Sequence, residues 1–211
     1  MAVRSCKDAT LPCEPAPMLT SALRPALLLI LGLAGCAAPK PEVSQAPVMG
    51  WDHRPEAQEW TQSTMAAVAE KDDALAEQVP QDIATFCPAY PQADLTDRRA
   101  FWAGLLSATA KHESTWNPLA SGGGGRWIGV MQIAPASAQN YGCDATSTAE
   151  LKDGAANLEC AVDILAVQVE RDGLVAGGGN RGIGRDWAPF RSDSKRADIA
   201  DWTSNQAYCQ G

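Results

Sequence analysis

The sequence predicts an all-α fold, and three observations predict it. Apolar residues recur at helical spacing in two long stretches, near 97–113 and 147–173. Each stretch runs into a helix terminator, Asn117-Pro118 after the first and Gly173 at the end of the second. No run alternates apolar and polar residues convincingly enough for a strand, apart from a few residues near 127–133. The 211 residues are 45% hydrophobic and 20% charged, which suits a globular chain with a sizeable core. There is no internal repeat, and one domain is expected over residues 56–211.

The elements follow in chain order. Residues 1–17 hold Cys6, Cys13 and three prolines, and Met18 is the better start. From Met18 a short cationic segment ending at Arg24 leads into the apolar run Ala26 to Leu33, which is too short to span a bilayer. The run closes on Leu33-Ala34-Gly35-Cys36, which resembles a bacterial lipobox. On that resemblance residues 1–35 are a signal peptide and Cys36 is lipidated, with acyl chains enough for stable attachment. Ala37 after the cysteine favours the periplasmic face of the outer membrane. Residues 36–55, with Pro39, Pro41, Pro47 and Pro55, read as a tether.

Pro55 and Glu56 suit the start of a helix over 56–78, in which Trp60, Met65, Val68 and Leu75 recur at helical spacing. Pro80 breaks it, and a short helix near 81–86 reaches Cys87-Pro88. Thr96 or Asp97 caps the next helix. Its face of Phe101, Leu105, Ala108 and His112 is widened by Trp102, Leu106 and Thr109, as expected of a central, largely buried helix. Pro135 opens a short helix that ends near Tyr141-Gly142. Ser147 or Thr148 caps a long one carrying Leu151, Leu158, Val162, Leu165 and Val169. A glycine-rich loop over 176–185 precedes a last helix over 193–208.

Four cysteines lie beyond Cys36, an even number that reads as two disulfides in an oxidising compartment. Three pairings are possible. Cys143–Cys160, tying a turn to the following helix, and Cys87–Cys209, tying the tail to the front of the domain, are favoured. Close Cys-x-x-Cys spacing for zinc is missing. The net charge of −8 argues against a nucleic-acid partner, which needs a basic stripe. Loss of residues 1–35 removes three basic and two acidic side chains and makes the chain more acidic still.

The stretch Ala110 to Ile133 organises the rest. Glu113 closes the central helix, followed by Ser114, Asn117-Pro118, Ser121 and Gly129-Val130-Met131-Gln132-Ile133. These residues, in this order and spacing, resemble the first two motifs of the lytic transglycosylases with a goose-type lysozyme-like fold. Asn157-Leu158 fits the segment that usually follows, and the likeness covers residues 100–170. It implies a lysozyme-like helical domain whose central helix bears the catalytic acid, Glu113. It further implies a substrate-binding role for Ser121, Met131 and Gln132, peptidoglycan glycan strands as substrate, no cofactor and no metal. The expected reaction cleaves the bond between N-acetylmuramic acid and N-acetylglucosamine and leaves a 1,6-anhydro end. The chain is expected to act as a monomer.

The chemistry fits independently. Glycosidic cleavage needs an acid that is protonated near neutral pH. A carboxyl among Trp116, Ile128, Val130 and Met131 is desolvated, which raises its pKa. A rise to about 6, as in lysozyme, costs roughly 2.3 kcal/mol at about 1.36 per unit. Seven tryptophans offer flat faces for sugar rings, though most suit a core.

The relatives' third motif, Ala-Tyr-Asn-x-Gly, is missing; the region from Gly177 to Trp187 stands in its place, with Tyr141 and Tyr208 as substitutes for the tyrosine. The insertion Gly122–Arg126 is unusually glycine-rich. Gly177-x-Gly179-x-x-Gly182 follows a helix rather than a strand, so it is no dinucleotide fingerprint. His112-Glu113 lacks the second histidine of a zinc protease. Two other functions stay open: a goose-type lysozyme hydrolase, with water as acceptor, and a peptidoglycan-binding lipoprotein of weak activity.

Overall fold

A computed structural model of the chain describes residues 46–211. The leader, Cys36 and the first part of the tether lie outside these residues. The helices are α1 (Ala57–Ala69), α2 (Ile83–Phe86), α3 (Leu95–Glu113), α4 (Pro135–Tyr141), α5 (Gly154–Asp172) and α6 (Asp193–Ser204). Two short antiparallel strands, β1 (Ser121–Gly122) and β2 (Trp127–Ile128), form a hairpin between α3 and α4. The described residues are mostly helical, as expected. Helix α3 packs against α1 and α6, and α1 also crosses α5.

Helix α3 is the axis. Every residue from Ala100 to Ala110 is buried, so the helix meets protein on all sides. Its cap is Asp94, not Thr96 or Asp97. Asp94 has extended backbone and accepts the Asp97 N–H at 2.9 Å, which puts Thr96 and Asp97 inside the first turn. Arg98 fixes the helix start by donating to the carbonyls of Tyr90, Ala93, Ala76 and Pro91. Phe101 and Trp102 lie edge to face with Tyr90, whose hydroxyl accepts from Trp102 and donates to the Leu75 carbonyl. At the far end, Lys111 and His112 both reach Asp198 of α6, at 2.8 Å each. Gly104 admits Tyr208: a Cβ there would meet the Tyr208 hydroxyl at 2.1 Å.

Several boundaries differ from expectation. The tether was expected to run to residue 55, but Met49 and Trp51 are buried. Trp51 stands edge to face on Trp60 and donates to Thr61 at 2.9 Å, so residues 46–55 pack with the domain. Helix α1 stops at Ala69 rather than 78. Lys71 pairs with Asp163 of α5 and Asp72 with Arg99 of α3, and a continuous helix is replaced by turns that still bury Leu75. Ser147 caps only a single 3-10 turn, Glu150–Lys152, whose Glu150 carboxylate accepts in return from Thr146 and Ser147. Asp153 is extended and caps α5 itself by accepting from Ala156. Gly173 ends α5 in the left-handed conformation, as expected. The last helix breaks after Ser204, and a 3-10 turn, Ala207–Cys209, carries Tyr208 and Cys209 inward. Both expected disulfides form, Cys87–Cys209 and Cys143–Cys160.

Candidate active site

Glu113 ends α3, and the chain leaves it through strained backbone. Thr115 and Trp116 both take φ of 55°, and Gln132 takes 50°. Among the described residues these are the only non-glycine residues with positive φ, and all three lie in the motif stretch. The Ser114 hydroxyl donates to the Val130 carbonyl at 2.8 Å and accepts from the Asn117 N–H at 3.1 Å. That pins the segment after Glu113 to the segment before Gln132.

The second segment is a tight turn closed by a bridge between Ile128 and Ile133. Buried Asn157 of α5 holds it: its Oδ1 accepts the Met131 N–H at 2.8 Å, and its Nδ2 donates to the carbonyls of Ile128 and Leu151 at 3.0 Å. Gly129 is required here twice over. Its φ is 81°, and a Cβ would meet the Leu151 carbonyl at 2.2 Å and the Asn157 amide at 2.4 Å. Trp187 clasps the turn from the other side by donating Nε1 to the Met131 carbonyl at 2.8 Å.

One cavity joins these parts. Glu113, Trp127, Gln132, Asp186, Trp187, Ala188 and Arg191 line it. Among the described residues nothing pairs with the Glu113 carboxylate. Burial pushes its pKa up to about 7, with Lys195 and Arg191 pulling the other way. The group therefore holds its proton to near neutral pH, as an acid must. The Gln132 amide donates to the Gly129 carbonyl at 2.9 Å, which sets the orientation of its side chain in the cavity wall. Trp127 is 44% exposed at the rim, with the Arg126 guanidinium 5.7 Å from its ring centroid.

Of the four residues expected to act on substrate, the structure brings Glu113 and Gln132 together. Met131 is 0% exposed and belongs to the core; its backbone, held by Asn157 and Trp187, positions Gln132. Ser121 is exposed but does not line the cavity. It pairs with Ile128 in the hairpin register and shares that residue's side of the ladder, while Trp127 lies on the other side with Gly122. The cavity walls also differ from the expected Trp116, Ile128, Val130 and Met131. The last three are buried, and Trp116 turns away to bond the Ser107 carbonyl and meet His53.

Tyr208 sits at mid-α3, far along the helix from Glu113, and Tyr141 bonds Asp186 instead. Asp186, Trp187 and Arg191 were not singled out as site residues. Their one sequence signal is position, inside or just beyond the segment that replaces the third motif.

The profile described as "Transglycosylase SLT domain" matches residues 92–201, more than half the chain, and spans α3, the hairpin, α5 and most of α6. The chain belongs to this family. Among solved structures, Bd0314 DslA resembles this SLT-family chain in its wild-type form and in two glutamate-to-glutamine mutants. TM-scores are 0.71 for the wild type and 0.72 and 0.69 for the mutants, at 27% identity over 79% of this chain and 100% of that one. None of the curated proteins matches this chain. SLT-family membership brings lytic-transglycosylase-type activity on peptidoglycan, and the cavity around Glu113 lies wholly within the matched region.

Proposed function

We propose that the protein cleaves the β-1,4 bond between N-acetylmuramic acid and N-acetylglucosamine, leaving 1,6-anhydro-muramic ends. One observation carries this reading: a partly buried glutamic acid, unpaired among the described residues, that keeps its proton to about pH 7 in a cavity with polar and aromatic walls. Glu113 gives that proton to the bridging oxygen as the bond to the anomeric carbon breaks. The substrate's own acetamido oxygen stabilises the sugar cation by bonding to the anomeric carbon. Glu113, now ionised, takes the proton of the muramic 6-hydroxyl as that oxygen displaces the acetamido group. The ring closes without water, and intramolecular attack outpaces hydrolysis through proximity. Gln132 faces the sugar, and Trp127 gives its ring a flat face at the rim.

The same proposal places the protein at the periplasmic face of the outer membrane, held by lipid on Cys36 and acting as a monomer. The lipobox-like Leu33-Ala34-Gly35-Cys36 supports the anchor. Mass spectrometry of the soluble products from purified sacculi tests the reaction. The parent protein is expected to release anhydro-muropeptides, and Glu113→Gln to release at least about 1,000-fold less. Reducing-end products from the parent would make the protein a hydrolase. Binding to sacculi with no product would make it a peptidoglycan-binding lipoprotein.

A further inference from the structure

The cavity holds a second carboxylate that the mechanism above leaves idle. Asp186 lines it together with Glu113, Gln132 and Arg191. Two elements converge behind Asp186. Tyr141, the last residue of α4, sets its hydroxyl 3.2 and 3.1 Å from the two carboxylate oxygens. Gln168 of α5, only 4% exposed, donates its amide to Asp186 at 2.8 Å and to the Tyr141 hydroxyl at 2.6 Å. An amide nitrogen only donates, so the Tyr141 oxygen accepts from it and sends its own proton to Asp186. Both donors meet at the Asp186 carboxylate, which also lines the cavity.

Burial raises the Asp186 pKa, while Tyr141, Gln168, Arg191 and Arg185 oppose it; Arg185 is itself paired with Asp172. Glu113 feels Lys195 and Arg191.

We propose that Asp186, backed by Tyr141 and Gln168, accepts the N–H of the substrate's acetamido group and aims its carbonyl oxygen at the anomeric carbon. This rests on the transglycosylase reading. The N–H and C=O of a trans amide point in opposite directions, so holding one fixes the other. As the acetamido oxygen bonds to the anomeric carbon, the leaving bond breaks and Glu113's proton moves to the leaving oxygen. The nitrogen then carries positive charge, and its hydrogen bond to a carboxylate strengthens in the transition state. The 6-hydroxyl displaces the acetamido oxygen, its proton returns to Glu113, and the neutral amide is restored. The segment that lacks the third-motif tyrosine thus supplies a carboxylate, and a tyrosine from α4 supports it.

The test uses the oxidised full chain with Asp186→Asn, Tyr141→Phe and Glu113→Gln. Each is given intact sacculi and the same glycan chemically stripped of its N-acetyl groups. On sacculi, Asp186→Asn is expected to lower kcat about 100-fold with little change in KM and an unchanged melting temperature. Tyr141→Phe is expected to lower kcat about fivefold to tenfold and move the acid limb of the pH profile upward, because one hydrogen bond to the anion is gone. On stripped glycan the parent is itself slow, and Asp186→Asn is no slower. Asp186→Asn within twofold of the parent on sacculi overturns the proposal, as does the same fold loss on both glycans. Reducing-end products that depend on Asp186 overturn it by making this residue a base for water. A silent parent, or a fully active Glu113→Gln, instead fells the transglycosylase reading, and this proposal with it.

Discussion

Glu113 holds its proton because its carboxylate is partly buried and nothing in the described fold pairs with it. A carboxyl raised from 4.5 to about 7 has a cost that can be measured. Below pH 4.5 folded and unfolded chains are both protonated there, and the group does not affect stability. Between 4.5 and 7 the folded chain holds a proton that the unfolded chain releases, so stability falls as pH rises, and it levels off above 7. The full cost is on the order of 3 kcal/mol, less solvent screening. Glu113→Gln is therefore expected to raise the melting temperature at pH 8 and to lose that gain by pH 4. Equal melting temperatures at pH 8 would show that Glu113 is not desolvated. Activity is expected to fall above about pH 7, as the acid loses its proton. The positive φ values at Thr115, Trp116 and Gln132 belong to the same residue-scale economy, since each costs about 1 kcal/mol or more and is held by its surroundings.

At the scale of elements, the cavity depends on how the chain leaves α5. The loop after Gly173 must carry Asp186, Trp187 and Arg191 back toward the end of α3. One residue before α2 holds its start: the Asp82 carboxylate accepts the N–H groups of Val175, Ala176 and Gly177 at 2.6, 3.0 and 2.8 Å. Asp172 holds its middle through Arg185 and the Gly182 N–H. Asp82→Ala leaves three backbone donors without their acceptor and is expected to cost about 3 kcal/mol. Hydrogen exchange at residues 175–177 would then speed up well before exchange in α3. Unchanged protection there would mean that the loop is held by packing alone. Asp82 lies about 90 residues away in sequence from the groups it binds, and an aspartate before a short apolar segment reads simply as a helix cap.

For the whole molecule, the disulfides close loops of very different size. Cys87–Cys209 spans 122 residues and joins the start of the α3 unit to the chain's tail, whereas Cys143–Cys160 spans 17. Loop entropy assigns the longer bridge nearly 5 kcal/mol and the shorter about 3 kcal/mol. Cys209→Ser is therefore expected to lower the denaturation midpoint more than Cys160→Ser does, both read by urea unfolding under oxidising conditions. The reverse order would place the tail outside the cooperative unit. Charge is also organised at this scale. A chain of net charge −8 keeps Arg191 and Lys195 close enough to Glu113 to pull on its pKa, so local cations offset the molecule's unfavourable sign toward an anionic polymer.

The sequence by itself determined what depends on near neighbours and on spacing. The all-α class, the central helix ending at Glu113, the glycine stop of α5 and the order of the two motifs all follow from periodicity and short-range chemistry. The even cysteine count implies two disulfides, whereas the choice among three pairings belongs to the fold. Tertiary structure alone decided which motif residues share a cavity. Gln132 joins Glu113 because Asn157 and Trp187 hold the turn from both sides, while Met131 beside it is turned into the core. Ser121 is set in the hairpin opposite Ile128. Asp186 enters it because Tyr141 and Gln168, 45 and 18 residues earlier, arrive at the same point. Such contacts carry no local signature, since they depend on where whole helices cross and not on the residues adjacent in the chain.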